Sequence, residues 1–349
     1  MTELETLRGG THAAPLDAPE AGREIRARSS PGCYLCGAVG ALLYEKLTDR
    51  LFGTPGTWNL KQCPNRSCGL IWLDPMPIES DIGKAYLNYY THAPQVNASE
   101  RRGIERAKAA LILAYGYVWR FTPIYTQRQE LELMCLGELS PGRVLEVGCG
   151  SGQQLAALRA RGWDVQGLDV DERAAAHARN AFGIPVFCGP LHQAGFGDEE
   201  FDAVVMNHVI EHVHDPIGLL RESRRVLRRG GHLVSITPNS NGWGHARFGG
   251  SWRGLDPPRH LILFSRKTLE HIARISGFRD VEISTSAARS EWTSIDFEQS
   301  LKAEQGEFVR ELGPLATRAV RHAFLHAQAL LARRRDPNAG DECILRARN

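Results

Sequence analysis

The sequence predicts an α/β protein built on a parallel sheet. Two observations carry this. From residue 142 onward, short apolar runs alternate with helical patterns at the spacing of βαβ units. The first of these runs leads directly into a loop that turns on Gly148, Gly150 and Gly152. A third observation adds a smaller unit, because two cysteine pairs lie together near the N-terminus.

At 349 residues the chain is one large domain with appendages, or two domains. Apolar residues at 42% and charged residues at 23% argue against a disordered, collagen-like or disulfide-scaffold protein. Lys and Arg total 42 against 40 Asp and Glu, a net charge of +2 that gives no global attraction to nucleic acid or anionic membrane. Residues 1–30 are rich in Ala, Pro, Gly, Glu and Arg and read as a loosely ordered tail. Glu3, Arg8, Asp17 and Arg23 break up any apolar stretch there, so a secretory signal is not expected and the chain is read as cytoplasmic. The longest apolar candidate elsewhere, residues 109–119, is too short to cross a bilayer, so no transmembrane segment is expected.

Residues 31–75 hold the cysteine pairs among Gly, Pro and aromatic residues. Residues 76–141 form a helical linker or cap, with 104–113 the strongest helix former. Residues 142–349 make the main domain. Strands are expected at 144–147, 165–169, 185–188, 201–206 and 232–237, with helices at 153–161, 173–182 and 216–228. Two more strands are expected at 281–284 and 343–346, separated by a largely helical stretch at 288–338. There Leu315, Ala319, Ala323, Ala327 and Leu331 mark an apolar stripe, read as buried against protein and able to pair subunits in a homodimer.

Cys33 and Cys36 form a C-x2-C-G knuckle, and Cys63 and Cys68 a C-x4-C-G knuckle. Two such knuckles can bring four thiolates into a tetrahedron, the geometry of a closed structural zinc site resembling a zinc ribbon. The glycine after each pair permits the turn that aims backbone N–H groups at sulfur. The alternative is four free cysteines in a small core. Cys135, Cys149, Cys188 and Cys343 are dispersed and read as packed thiols.

The strand–glycine loop–helix arrangement suits a ligand approached closely by backbone, at a helix N-terminus with unpaired N–H groups. Asp169 ends the following strand, where an acid can accept hydrogen bonds from both hydroxyls of a ribose. The glycines follow G-x-G-x-G and cluster in the loop, unlike the G-x-G-x-x-G of dinucleotide sites. Glu146, just before the loop, would repel a pyrophosphate and suits an ammonium group.

These residues resemble motif I of class I S-adenosylmethionine-dependent methyltransferases. Residues 201–213 are similar to that family's strand-four motif, and Leu227 to Leu233 looks like its L-x-x-G-G turn before strand five. The resemblance implies a Rossmann-like, seven-stranded, mostly parallel sheet with a terminal antiparallel hairpin, the stretch 288–338 being an insertion in that hairpin. It implies S-adenosyl-L-methionine as cofactor. Glu146, Gly148, Cys149, Gly150, Ser151 and Gly152 would surround its methionine portion, Asp169 and Val170 its ribose, and Leu191 its adenine, with Asn207 at the end of strand four. Pro190 stands where the family commonly has an acid near the adenine amino group. Cysteine-rich heads similar to this one precede methyltransferase domains related to natural-product, sugar or quinone methylation, and Tyr86, Tyr89 and Tyr90 fit that arrangement.

Methyl transfer needs alignment above all, and a base only where the acceptor must lose a proton. His260 and then His208 are the first candidates, with His212 behind them; for each the alternative is a structural histidine. Glu211 and His212 can instead cap the helix that follows. Arg259 either pairs with an acidic acceptor or is exposed. The loop 240–262, with Trp243 and Trp252, reads either as a flexible cover over the acceptor or as a surface loop with packed tryptophans. The reading is methylation of a small-molecule acceptor in secondary-metabolite, sugar or quinone-type metabolism. Oxygen is favoured; nitrogen and carbon are open. A nucleic-acid methyltransferase is the enzyme alternative, disfavoured because Asn207-His208-Val209-Ile210 lacks the Pro-Pro-aromatic of base-amine methylation. A non-catalytic zinc-containing adaptor is the alternative outside enzymes.

Overall fold

Val144, Leu145 and Val147 are almost wholly buried, as a continuous apolar run in a central parallel strand requires. A computed structural model describes residues 24–87, 123–289 and 313–349. The expected helix at 104–113, residues 1–23 of the tail, Tyr89, Tyr90 and the first part of the 288–338 insertion fall outside the described residues.

The N-terminal part holds β1 (Ala27–Arg28), β2 (Ala41–Leu47), β3 (Trp58–Gln62), β4 (Ile71–Leu73) and β5 (Met76–Pro77). After helix α1 (Pro123–Glu132) come β6 (Arg143–Val147), α2 (Gln153–Arg159), β7 (Asp164–Asp169), α3 (Glu172–Phe182), β8 (Val186–Cys188), β9 (Phe201–Asn207), α4 (Pro216–Val226) and β10 (Leu227–Pro238). The chain continues through α5 (Trp243–Phe248), β11 (Ile262–Leu263), α6 (Arg266–Ile275), β12 (Arg279–Ser286), α7 (Gly313–Arg335) and β13 (Glu342–Arg348).

The main sheet has seven strands in the order β12-β13-β10-β9-β6-β7-β8. Strands β10, β9, β6, β7 and β8 are parallel, while β13 runs antiparallel to both β10 and β12. Alternate residues of the parallel strands feed opposite faces. Leu145, Val147, Val204 and Met206 join the core under α4 and α6; Val144, Ala203 and Val205 join the core under α1, α2 and α3. Helix α3 shows how local chemistry sets its limits: the Asp171 side chain accepts from the Arg173 N–H at its start, and Gly183 closes it at φ 60°.

Several expectations change. Ala27–Arg28, at the end of the expected loose tail, pairs with β5, and the Arg26 guanidinium binds Asp81 at 2.9 Å. The cysteine-bearing segment is no separate bead. Its four-stranded sheet runs β11-β4-β3-β2, so one strand comes from the far side of the chain. Trp58, Leu60 and Trp72 share a core with Leu255, Phe264 and Leu269. The segment 240–262 is packed, with α5 and short 3-10 turns in place of an open loop, and Trp252 is buried under the stacked ring of His245. In α7 the described members of the expected stripe, Ala327 and Leu331, are exposed, whereas His326 and Ala329 are buried. Alanines lie on several faces of this helix, so periodicity alone did not single out the face that packs. Among the described residues no helix is long and apolar enough to cross a membrane.

Candidate functional site

The C-terminal ends of β6, β7 and β9 meet at one rim, where open α/β sheets bind ligands. Gly148, Gly150 and Gly152 all have left-handed φ, at 69°, 51° and 79°. Their reasons differ. A Cβ at Gly148 would lie 2.6 Å from Val209 Cγ2, and one at Gly152 would lie 2.7 Å from Ala178 Cβ. At Gly150 a Cβ would meet nothing within 4 Å. Packing closes the two ends of the loop and leaves its middle open. Gly152 is also the N-cap of α2, whose first N–H groups therefore face the rim without a capping side chain.

The Gly150 N–H donates to Asp169 Oδ2 at 2.7 Å, and the Asp171 N–H donates to Oδ1 at 2.9 Å. Asp169 thus organises the loop as well as ending β7. Glu146 is 2% exposed, and its Oε2 has no hydrogen-bond partner. Burial first, then the charge of Asp169, pushes its carboxyl well above the usual range. A buried acceptor left unsatisfied beside an open glycine loop fits a ligand that brings a donor or a cation there. Val170 is exposed at the rim, and Asn207 Nδ2 donates to Gln154 Oε1 at 3.2 Å. Leu191 sits in a 3-10 turn after Pro190 with its side chain in the core, so only its backbone is free to meet a ligand.

Beyond β9 the structure gathers His208, Glu211, His212 and His260. His208 lies at φ 54° and bridges two carboxylates, with Nδ1 donating to Glu211 Oε1 and Nε2 to Glu342 Oε1, each at 3.0 Å. Burial alone would lower its pKa, but these bonds outweigh it and push it up to about 9. His208 is therefore a held cation near neutral pH. His212 moves the other way, down to about 4, through burial and the adjacent His260. Its Nδ1 donates to the Arg259 carbonyl at 3.0 Å and lies 2.8 Å from the Tyr86 hydroxyl. His260 Nδ1 donates to the Gly254 carbonyl at 2.8 Å. Glu211 is fully buried, and Thr237 Oγ1 donates to its Oε2 at 2.9 Å.

Arg259 is neither exposed nor open to an acceptor. It is fully buried, with bonds to Asp49 at 2.8 Å and to Asp256 at 2.6 Å. It therefore ties the N-terminal part to the segment that carries His260.

The four cysteines come together, with Cys33 and Cys68 sulfurs 3.6 Å apart and Cys36 and Cys63 sulfurs 3.4 Å apart. All four lie within 4.8 Å of one another. Those spacings exceed a disulfide bond and approach the roughly 3.8 Å edge of a tetrahedron with zinc–sulfur bonds of about 2.3 Å. Gly37 and Gly69 have φ of 71° and 66°, as the knuckle turns require. The donor set fits zinc.

Glu342, Arg289, Thr237 and Gln154 were not singled out by sequence. Glu342 opens β13, and Arg289, in the turn after β12, donates to its Oε1 at 3.1 Å; no local spacing announces either.

Residues 121–283 match the family model of a methyltransferase domain. Over 120 residues the chain is 33% identical to a ubiquinone biosynthesis O-methyltransferase of Alkalilimnicola ehrlichii, covering 33% of this chain and 49% of that protein. Over 97 residues it is 38% identical to a probable S-adenosylmethionine-dependent methyltransferase of Mycobacterium tuberculosis, covering 28% of this chain and 35% of that protein. The chain thus spans half or less of the length of these two relatives. A solved phosphoethanolamine N-methyltransferase of Haemonchus contortus is 19% identical, with a TM-score of 0.46 over 84% of this chain and 70% of that one.

Proposed function

We propose that the chain transfers a methyl group from S-adenosylmethionine to an oxygen of a small-molecule acceptor. The observation that carries this is the rim: an open Gly150 between two sterically closed glycines, with Glu146 and Asp169 on either side. Glu146 and residues 148–152 would hold the amino-acid end of the cofactor, and Glu146 Oε2 would accept from its ammonium group. Asp169 would hold the ribose with lone pairs left over from its two backbone bonds, beside Val170. Adenine would rest against the Leu191 backbone, with Asn207 closing the rim. When bound, the cofactor supplies a methyl carbon on a sulfonium, already joined to a good leaving group.

The residues beyond β9 would handle the acceptor. Oxygen is supported by the ubiquinone O-methyltransferase relatives, and quinone-type, sugar or secondary-metabolite acceptors fit that chemistry. His260 is the first candidate to take an acceptor proton, since its Nε2 keeps a lone pair. His208, pinned as a cation, is better suited to orient Glu211, and His212 contributes a neutral imidazole. The four thiols would hold a structural zinc ion with no open position. The near-neutral charge offers no phosphate track for the nucleic-acid alternative.

Calorimetry of the full chain with S-adenosylmethionine tests the reading. Binding is expected, with Asp169→Ala weakening it about 10–100-fold through the loss of charge-assisted bonds. Absence of binding, or an unchanged affinity in the variant, would overturn it.

A further inference from the structure

Glu211, His212 and His260 meet in an arrangement that hydrogen bonding within the chain does not complete. A carbonyl oxygen only accepts, so the bond to the Gly254 carbonyl requires a proton on His260 Nδ1, whereas His212 Nδ1 stands between the Arg259 carbonyl and the Tyr86 hydroxyl. With Nδ1 as the protonated nitrogen of a neutral ring, His260 Nε2 is a bare lone pair. His260 Nε2 lies 3.9 Å from Glu211 Oε1, too far for a hydrogen bond. The two imidazole rings stand edge to face with their centroids 4.6 Å apart. One ligand atom from each of the three residues lies within 4.8 Å of the others.

The outer contacts are also of a recognisable kind. Metal-ligating histidines commonly donate their other nitrogen to a carbonyl or carboxylate, which fixes tautomer and ring orientation. His260 does so at the Gly254 carbonyl, His212 Nδ1 is held between the Arg259 carbonyl and the Tyr86 hydroxyl, and Thr237 and His208 hold the carboxylate in place. Two imidazoles and one carboxylate form a three-ligand set that suits a divalent first-row transition ion and leaves positions free for other ligands. Ligand atoms around such an ion stand about 3.0–3.5 Å apart, so shifts of roughly 1 Å would complete it.

We propose that Glu211, His212 and His260 form a binding site for one divalent transition-metal ion whose open positions take the acceptor oxygen. The ion site stands on these side chains; its use on an acceptor rests on the methyltransferase reading. The site follows the end of β9, and Val209, which packs against Gly148, joins it to the rim. An acceptor hydroxyl or phenol ligated there loses its proton more readily, because a bound cation favours the anion. His260 Nε2 then acts as a ligand in place of its proton-accepting role, and the released proton passes to solvent water.

The test uses the full chain supplied with one equivalent of Zn2+ for the thiol cluster and then titrated with Mn2+, a poor partner for thiolates. Free Mn2+ is read by electron paramagnetic resonance. About one Mn2+ per chain is expected, weakened at least about 10–100-fold in Glu211→Gln and His260→Ala and retained in Cys36→Ser. His212→Gln, at a partly exposed position, gives the same readout should His260→Ala fail to fold. No bound Mn2+, or equal binding in these ligand variants, would overturn the site. S-adenosylmethionine calorimetry on the same samples separates the two readings. Cofactor binding without Mn2+ binding removes only the metal site, and Mn2+ binding without cofactor binding removes only the methyltransferase reading.

Discussion

Among the described residues two clusters gather side chains able to ligate a metal ion, and they differ in completeness. The four cysteines gather a full set of four sulfurs on two tight knuckles, one knuckle leading into β4 of the N-terminal sheet. Glu211, His212 and His260 form three corners only, and backbone carbonyls and polar side chains around them fix their orientation. A set closed by the protein suits holding the fold, because nothing else can enter. A set left open suits chemistry, because the surrounding fold already holds its members. The thiols would support the sheet; the histidine cluster is supported by it.

That contrast can be broken in order of effect. Cys63→Ser should remove zinc and destabilise the chain by more than about 4 kcal/mol, read by metal content and urea unfolding. Retained stability would mean the thiols carry no structural ion. Arg259→Met should cost about 3–5 kcal/mol, since it strands Asp49 and Asp256 in a buried setting. A loss below about 1 kcal/mol would show that this link between the two regions is dispensable.

Acid comes next. Although burial works against it, the Arg259 bonds hold the Asp49 carboxyl down at about 2, against 3.8 ordinarily. The stability this confers is present above about pH 4 and is lost as pH falls toward 2. Acid unfolding of Arg259→Met should lack that component, and matching acid curves would refute the assignment. The smallest effect is expected at the open cluster. His212→Gln should change unfolding free energy by less than about 1 kcal/mol while weakening Mn2+ binding at least about 10–100-fold. A large destabilisation there would make the cluster structural and erase the contrast.

The rim was legible because its chemistry is local. A strand, a glycine loop and the acid ending the next strand are set by short spacing, and the chain places them as that spacing implies. Even so, crowding by Val209 and Ala178 gives Gly148 and Gly152 reasons that no loop motif contains. The histidine cluster beyond β9 was only half legible. His208, Glu211 and His212 lie together in sequence, but Glu342 comes from the last strand and Tyr86 from the N-terminal part. Arg259 read as a surface or substrate-facing residue because its partner Asp49 is remote in the chain. In α7 the alanines blurred the periodicity, and tertiary packing chose the face.

Strand β11 is short, yet it sews the two halves of the chain together. Ile262 and Leu263 hydrogen-bond along β4, two residues after His260 and just before the capped start of α6. Any movement of the cysteine-bearing head would pull on the backbone that aims the His260 ring. The head is better regarded as a splint for the histidine cluster than as a detachable accessory, and excising it would leave an unzipped sheet edge beside it.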